Sequence, residues 1–438
     1  MKVVKAPKAL PVLGHGPALW RDPLEFLSSL PAYGDLVEIR VGPRPVLIPC
    51  TPALVRQILL NDRTFDKGGP LIDKGRDFIG NGLATCPRDD HRRQRRLVQP
   101  SFHSSRLPAY ARTMAEEISA SLASWESGQT VDLLGEMKKI TTRVTARVVF
   151  ASGMPERDVV QVGRDFGIFT DGVFRGMLLP DWMAKLPLPA HRAYGRAYAR
   201  LSGMIGQTIS AYKADGSDRG DLLSALLAAR EADESLSEAE IRDQIMTFLF
   251  GGIETTAILL TWALYLLGRH PEAEDRLRAE VDAQLAGHAA ELKDVDKFPF
   301  VSAVLNETLR LYPPGWMVPR VATQDATLEG HFIASGTVLG VSAYVMHHRP
   351  GGVACPKSFI PDRWNRSGAP SSHEMFPFGM GARKCIGNDF AMLEATLALA
   401  SVISQWRCEI APKSRARPEL KALLQPRDVR VRLVRREH

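Results

Sequence analysis

The chain has 438 residues, a formal net charge of +7 and five cysteines. Because the cysteines are odd in number, scattered and never spaced as Cys-x-x-Cys, they argue against a disulfide framework or a zinc cluster and favour a reducing cytosol. The sequence has no signal-peptide apolar region at its N-terminus and no uncharged apolar stretch of about 20 residues, so we expect a cytoplasmic protein without a membrane anchor.

Length alone suggests several domains, but no Gly/Ser-rich or Pro-rich linker, charge block or repeat divides the sequence. We therefore predict one domain over residues 1–438, large enough to enclose a cofactor. The densest basic cluster, residues 91–96, is accompanied by no nucleic-acid motif, so we expect no nucleic-acid partner. Taken alone, this cluster is either a solvated helix face or a docking site for an acidic protein.

The predicted elements begin with two strands, 37–41 and 46–48, around the turn at Gly42-Pro43. Residues 66–85 are rich in Gly and Asp and read as a long irregular loop. The stretch 166–177 is aromatic and glycine-rich and is followed by breaks at Pro180, Pro187 and Pro189, a pattern typical of a helix–loop–helix cover. Helices are predicted around 90–98, 108–126, 139–151, 157–175 and 190–214, and short strands within 321–341 and 424–436. The fold class is therefore mainly α, an α+β layout with helices in excess.

A long helix is predicted to begin at the capping box Ser237-Glu-Ala-Glu240 and to end near Gly268. It is apolar nearly all round, as expected of a core helix. Its interior carries Gly251-Gly-Ile-Glu254-Thr255, although each interior glycine costs up to about 1 kcal/mol relative to alanine. Such glycines allow a flat ligand to approach, and Glu254 with Thr255 would form a carboxylate and hydroxyl pair for proton delivery. The alternative is helix packing at glycine, with the threonine hydroxyl bonded to a backbone carbonyl.

A loop near the end of the chain, Phe378-Gly-Met-Gly-Ala-Arg383-Lys-Cys385-Ile-Gly387, is the most specific pattern. Its glycines let the backbone bend around a flat ligand, and Phe378 offers an aromatic surface. Arg383 offers a charge for a carboxylate. The apolar segment that follows is rich in helix formers, so we expect Cys385 at a helix N-terminus that stabilises a thiolate. The pattern predicts a haem site with a cysteine ligand.

A further pair, Glu307 and Arg310, is spaced i, i+3 on a predicted helix before Pro313-Pro314. An exposed ion pair of this kind contributes under about 1 kcal/mol. Apolar residues share the same helix face, so we predict that the pair is buried and structural.

These patterns together resemble the cytochrome P450 monooxygenases over nearly the whole chain. The resemblance implies a cytochrome P450 fold with haem b between the long central helix and the helix after the cysteine loop. It implies that Cys385 binds the iron, that Glu254 and Thr255 organise proton delivery, and that Arg363 joins Glu307 and Arg310 beneath the haem. The cofactor-binding positions it implies are His91, Arg95, Gly251, Arg320, Phe378, Arg383, Cys385 and Gly387, of which His91, Arg95, Arg320 and Arg383 match propionate partners.

The reaction implied is insertion of one oxygen atom from O2 into an organic substrate. The chain after Cys385 is too short for a flavin reductase domain, so we expect a separate ferredoxin and ferredoxin reductase as electron donors. The basic residues Arg92, Arg93, Arg96 and Lys384 would suit an acidic ferredoxin.

Substrate contacts carry no motif. The candidate residues are mostly apolar and favour a hydrophobic substrate. The resemblance to soluble bacterial cytochrome P450 enzymes implies a role in secondary metabolism, with a terpenoid or a polyketide macrolide as the substrate. A fatty-acid hydroxylase, a peroxide-driven hydroxylase and a haem sensor without turnover are the alternatives. The predicted pocket residues are Phe78, Phe169, Phe174, Thr247, Phe250, Met317 and Val318.

Overall fold

The computed structural model describes residues 3–150, 154–178, 188–231, 234–364 and 374–437, and for residues 174–178, 230, 231 and 234 it describes the backbone alone. Helices dominate and strands form a smaller portion, which confirms the predicted fold class. The chain forms two compact units, each assembled from distant segments. The first contains residues 1–73, 306–385 and 422–425, and the second contains residues 74–305, 386–421 and 426–438. The prediction of one domain stays a prediction.

The helices, in chain order, are α1 Gly16–Arg21, α2 Pro23–Ser29, α3 Pro52–Leu60, α4 Pro70–Ile79, α5 Arg88–Val98, α6 Leu107–Ala123, α7 Leu133–Phe150, α8 Glu156–Leu178, α9 Pro189–Asp215, α10 Leu222–Ala228, α11 Glu238–Arg269, α12 Pro271–Leu285, α13 Pro299–Leu311, α14 Ala343–His347 and α15 Asn388–Gln405.

The strands are β1 Val4–Lys5, β2 Leu36–Val41, β3 Arg44–Pro49, β4 Phe65–Asp66, β5 Thr130–Asp132, β6 Arg230–Glu231, β7 Glu234–Ser235, β8 Met317–Ala322, β9 Ala326–Leu328, β10 His331–Ile333, β11 Val338–Ser342, β12 Trp406–Ile410, β13 Arg417–Leu420, β14 Leu424–Arg427 and β15 Arg430–Arg435.

The first unit is built on a mixed six-stranded sheet in the order β1-β2-β3-β11-β8-β4. Strands β2 and β3 form the predicted hairpin, with Val37 opposite Ile48. Strand β11 joins β3 in parallel and pairs antiparallel with β8, where Leu339 lies opposite Arg320. Leu36, Leu47, Leu339 and Val341 are buried with α3 in one apolar cluster, and Val37, Ile39 and Ile48 are buried in a second cluster. A slip by one residue would exchange these two faces, so their packing fixes the register.

The second unit is helical and is organised around α11. Its N-terminus has the predicted capping box, in which the Ser237 hydroxyl accepts from the Glu240 N–H and the Glu240 carboxylate accepts from the Ser237 N–H. In the described chain α11 has the length and composition of a membrane span, but 72% of that window is buried inside the protein, as in a core helix. It packs along α7, where the Thr141 hydroxyl donates to the Ile253 carbonyl at 2.8 Å.

One local prediction was wrong. The segment 66–85 is not a continuous irregular loop, because α4 forms with Pro70 at its start and Asp73 in its first turn, both favourable at a helix N-terminus. Both helices of the predicted helix–loop–helix cover are present, as α8 and α9, and the stretch 166–177 is continuous helix within α8. Gly172 is tolerated there because the ring of Tyr194 packs where a β-carbon would lie. Residues 179–187, which follow, lie outside the described residues.

Candidate functional site

The cysteine loop, of which Phe378 to Cys385 belong to the first unit, is shaped by its own backbone. Gly379 and Gly381 have φ of +73° and +67°, in the left-handed region that glycine adopts without strain. The Cys385 N–H donates to the Phe378 carbonyl at 2.8 Å, which closes the loop. The Cys385 side chain is exposed, so the loop presents a thiol to a ligand rather than burying it.

The position of Cys385 relative to the next helix differs from the prediction. Helix α15 has Gly387 as its N-cap and begins at Asn388, so Cys385 precedes the cap by two residues. The helix dipole acts mainly within the first turn. The loop backbone, rather than the helix terminus, therefore holds this residue in place.

Glu307 is the centre of a buried polar cluster in the first unit. Its carboxylate accepts from Arg310 Nε at 2.9 Å and Nη2 at 2.8 Å, and from Arg363 Nε at 3.0 Å. Trp364 Nε1 and the Ile360 N–H complete its hydrogen bonds, each at 3.0 Å. Burial alone would raise the pKa of Glu307, but the bonds from Arg310 and Ile360 and the charge of Arg363 hold it below its ordinary value. The predicted burial and ion pairing are both present.

His347 connects this cluster to the start of the cysteine loop. Its Nε2 accepts the Phe376 N–H at 3.1 Å, so Nδ1 carries the proton and donates to the Arg310 carbonyl at 3.2 Å. Burial lowers the pKa of His347 to about 3, which keeps the ring neutral and this tautomer in place. The histidine is therefore structural.

A pair of buried guanidinium groups lies elsewhere in the first unit. Arg383 pairs with Asp66, and Arg320 on β8 donates Nη1 to the Pro319 carbonyl at 3.0 Å. Arg320 Nε has no hydrogen-bond partner among the described residues. Burial, followed by repulsion from Arg383, lowers the pKa of Arg320 to about 10 despite the charges of Asp66 and Asp62. Since buried cations require anionic partners, this donor set fits a carboxylate such as a haem propionate.

Helix α11, in the second unit, contains two adjacent glycines, and a different structural reason accounts for each. A β-carbon at Gly252 would lie 2.7 Å from Thr145 Oγ1, so this glycine permits close packing on α7. A β-carbon at Gly251 would meet no described atom within 4 Å. Packing therefore explains Gly252 alone, and Gly251 leaves the bare helix surface that a flat ligand needs.

Glu254 and Thr255 lie next to each other on α11 but have different surroundings. Glu254 is buried, and its carboxylate is bound by Lys138 Nζ at 2.7 Å and by the Thr170 hydroxyl at 3.4 Å. Only 5% of the Glu254 side chain is exposed, and the more exposed Lys138 lies at its carboxylate. Thr255 is less buried, and its hydroxyl donates to the Gly251 carbonyl. This is the bond to a backbone carbonyl that the sequence left as the alternative to a role in proton delivery.

Helix α5 carries the predicted propionate partners of the second unit, with His91 buried and Arg95 half-buried, one turn apart. Arg92 and Arg96 are exposed on the same helix. Arg93 is bound to Glu240 and to the Ser235 carbonyl, so it is not available for the basic docking face predicted from the sequence.

The predicted pocket residues have varied environments. Phe169 is fully buried and stacks on Tyr194 at 5.8 Å, and Phe78 meets Tyr194 edge-on at 5.6 Å. The Thr247 hydroxyl packs against Gly82, where an added β-carbon would clash with Thr247 Oγ1. Phe250 packs on the second unit's apolar cluster, while Met317 and Val318 lie on β8 in the first unit. The side chain of Phe174 lies outside the described residues.

Several residues that complete these clusters were not predicted from the sequence: Asp66, Lys138, Thr170 and Trp364. Lys138 and Glu254 are 116 residues apart, and Asp66 and Arg383 are 317 apart. No local spacing signals such contacts. Trp364 had a local signal, since it adjoins Arg363.

Comparisons with known proteins agree with this geometry. A family profile described as Cytochrome P450 matches residues 4–432. The chain is 46% identical over 419 residues to Cyclooctatin synthase of Streptomyces melanosporofaciens, covering 94% of this chain and 91% of that protein. It is 42% identical over 412 residues to Cyclooctat-9-en-7-ol 5-monooxygenase of the same organism, covering 93% and 90%. It is also 42% identical over 435 residues to Pentalenene oxygenase of Streptomyces avermitilis, covering 98% and 97%.

Replacing Glu307 with glutamine should lower the free energy of unfolding by about 3–5 kcal/mol at neutral pH, because two buried guanidinium groups lose their counter-charge. The depressed pKa of Glu307 makes its stabilisation fully present above the ordinary value of 4.5 and lost as pH falls through the folded pKa. Urea unfolding across this range should therefore show the two proteins converging in acid. The exposed Glu126→Gln is the control, and a constant difference at all pH values would contradict the assignment.

Proposed function

The chain belongs to the cytochrome P450 family and is a haem-thiolate monooxygenase, and from this premise we propose that it oxidises a terpenoid substrate at a haem b ligated by Cys385. The observation that carries the ligand assignment is the loop that presents an exposed Cys385 while the Cys385 N–H is bonded to the Phe378 carbonyl. A Cys385→Ser variant would lose the absorption spectrum of thiolate-ligated haem. Retention of that spectrum would overturn the assignment.

The proposed cofactor contacts are the positions that the family resemblance implies. Arg320 and Arg383 would bind haem propionates, and Phe378 and the loop glycines would lie against the macrocycle. His91 and Arg95 would bind propionates, and Gly251 would leave room for the ring. When bound, the haem activates O2, so that one oxygen atom enters the substrate and the other leaves as water.

Proton delivery is the proposed task of Glu254 and Thr255. Thr255 holds a hydroxyl on the surface of α11 at the turn opened by Gly251. Glu254 would supply protons, and its ion pair with the partly exposed Lys138 provides the route to solvent that the buried carboxylate lacks. A carboxylate and hydroxyl placed in this way act as general acid and relay.

Replacing Thr255 with alanine should lower product formed per electron consumed by about a hundredfold, because the relay hydroxyl is lost. Product and reduced nicotinamide consumption are measured together. Thr261→Ala is the matched control, since Thr261 lies on the same helix and makes the same kind of bond to a carbonyl four residues earlier. Full coupling in the Thr255 variant would remove the proposed role and favour a haem protein that needs no proton relay.

The substrate class is proposed from the relatives and from the apolar candidate residues. Two relatives bear the names of an alkene and an alkenol, and the predicted pocket positions carry aromatic and aliphatic side chains. An apolar pocket favours a hydrocarbon skeleton with few polar groups.

Terpenoid alkenes and alkenols should therefore displace haem water, seen as a shift of the haem spin state, and should yield oxygenated products with O2 and electron donors. Fatty acids of equal carbon number and a macrolide are the comparison ligands. A shift with fatty acids alone would replace the terpenoid proposal by a fatty-acid hydroxylase. Turnover with hydrogen peroxide and no electron donor would indicate the peroxide-driven alternative.

The electron donor is proposed to be a separate acidic ferredoxin, with its own reductase, in the cytoplasm. The exposed Arg92 and Arg96 provide positive charge on α5. Reversing both to glutamate should slow reduction by the ferredoxin about tenfold at low salt, and the difference should shrink as salt screens the charges. Arg415 and Arg417, also exposed, are the control for the same change in net charge. Equal reduction rates for the two variants would exclude α5 as the docking face.

A further inference from the structure

An apolar turn near the N-terminus of the first unit is exposed to solvent. Leu10, Val12 and Leu13 are 49%, 80% and 56% exposed, although each is a side chain that proteins ordinarily bury. A backbone bridge between Gly14 and Val41 places the end of β2 beside this turn, and Val41 is itself about half exposed. These four residues form one surface, which we call the N-terminal apolar patch. Contiguous exposed apolar surface marks an interaction site.

The patch is held in place by hydrogen bonds. Leu10 and Gly14 exchange two backbone hydrogen bonds, at 2.8 and 2.9 Å. The buried His15 fixes the base of the turn, because its Nδ1 accepts the Arg40 N–H at 2.9 Å and its Nε2 lies 3.1 Å from the Pro7 carbonyl. The apolar side chains are therefore presented by a closed and anchored turn rather than by a loose chain end.

Val12 adopts a backbone conformation that valine rarely takes. Its φ is +63°, in the left-handed region where a β-branched side chain is strained. Such strain persists only when the surroundings impose it, and it is concentrated at functional positions. Here the imposed conformation directs the most exposed member of the patch into solvent.

Basic residues flank the patch along the chain, and the exposed acids Asp22 and Glu25 begin directly after α1. Between residues 3 and 21 the chain contains Lys5, Lys8 and Arg21 and no acidic residue. Arg44, exposed at the start of β3, adds a further cation next to Val41 along the hairpin. The nearby Glu38 is paired with Arg40 at 3.7 Å. An apolar centre with a cationic rim is complementary to an anionic lipid surface.

An exposed tryptophan, Trp20, lies close to the patch in the sequence. It lies on α1, the helix that follows the turn, and is 87% exposed. Tryptophan is enriched at membrane–water interfaces, where its apolar ring and polar N–H are both accommodated. An exposed tryptophan among apolar and basic residues is typical of a membrane-surface contact.

We propose that the N-terminal apolar patch, together with Trp20 and the cations Lys8 and Arg44, docks this enzyme on the surface of an anionic lipid bilayer. The contact is peripheral, since four aliphatic side chains and one indole reach only the interfacial layer. It uses residues other than those assigned to the cofactor and to proton delivery. Its failure would leave the proposed reaction unaffected.

The test is sedimentation of the purified holoenzyme with vesicles of phosphatidylcholine, with and without phosphatidylglycerol. We expect binding that requires the anionic lipid and weakens as salt is raised. The double variant Val12→Asp, Leu13→Asp should bind at least about tenfold more weakly, because two charges would enter the apolar layer. Lys8→Gln and Arg44→Gln should each weaken binding about fivefold. Lipids brominated on their acyl chains should quench tryptophan fluorescence in the native protein and less in Trp20→Phe.

Phe332→Asp is the matched control, because Phe332 is an exposed apolar residue of the same unit outside the patch. It should bind vesicles as the native protein does, and all variants should keep the native haem spectrum and unfolding temperature. The proposal is overturned if the native protein stays in the supernatant with anionic vesicles. It is equally overturned if the Val12, Leu13 double variant binds undiminished, or if Phe332→Asp loses binding to the same extent.

Discussion

The first unit depends on the hydrogen bonds that the buried carboxylate of Glu307 accepts. One side chain receives hydrogen bonds from two arginines, an indole and a backbone N–H. Through the Arg310 carbonyl and His347 this cluster reaches the Phe376 N–H at the start of the cysteine loop. An ion pair that is buried and fully bonded has little freedom to rearrange. The loop is thereby supported by a rigid base.

The sequence predicted the pieces of the candidate site better than their surroundings. The cysteine loop, the capped α11 and the Glu307–Arg310 pair depend on short spacings, and short spacings can be read along a chain. Lys138 at Glu254 and Asp66 at Arg383 could not be predicted, because each pair is brought together by folding. Helix α4 was missed because its Gly and Asp residues are equally typical of loops, and tertiary packing decided between the two.

The surroundings of Glu254 change how its proposed chemistry is understood. A carboxylate open to water would exchange protons freely, whereas this one is enclosed by Lys138 and Thr170. The two partners come from α7 and α8, so the position of those helices sets how firmly the carboxylate is held. Thr255, bonded within its own helix, does not share this dependence. Movement of α8 would therefore change the hydrogen bonding of the Glu254 carboxylate and leave the Thr255 hydroxyl in place.

The paired guanidinium groups of Arg320 and Arg383 bear on how the protein is made in the cell. The two buried cations repel each other, Asp66 and Asp62 offset only part of that repulsion, and an anionic ligand would relieve the rest. Any molecule that binds only the folded state raises its stability by mass action. Cofactor supply would then govern the lifetime and abundance of the chain as well as its activity. Chains synthesised faster than haem is supplied would remain without cofactor, would be less stable and would be degraded first.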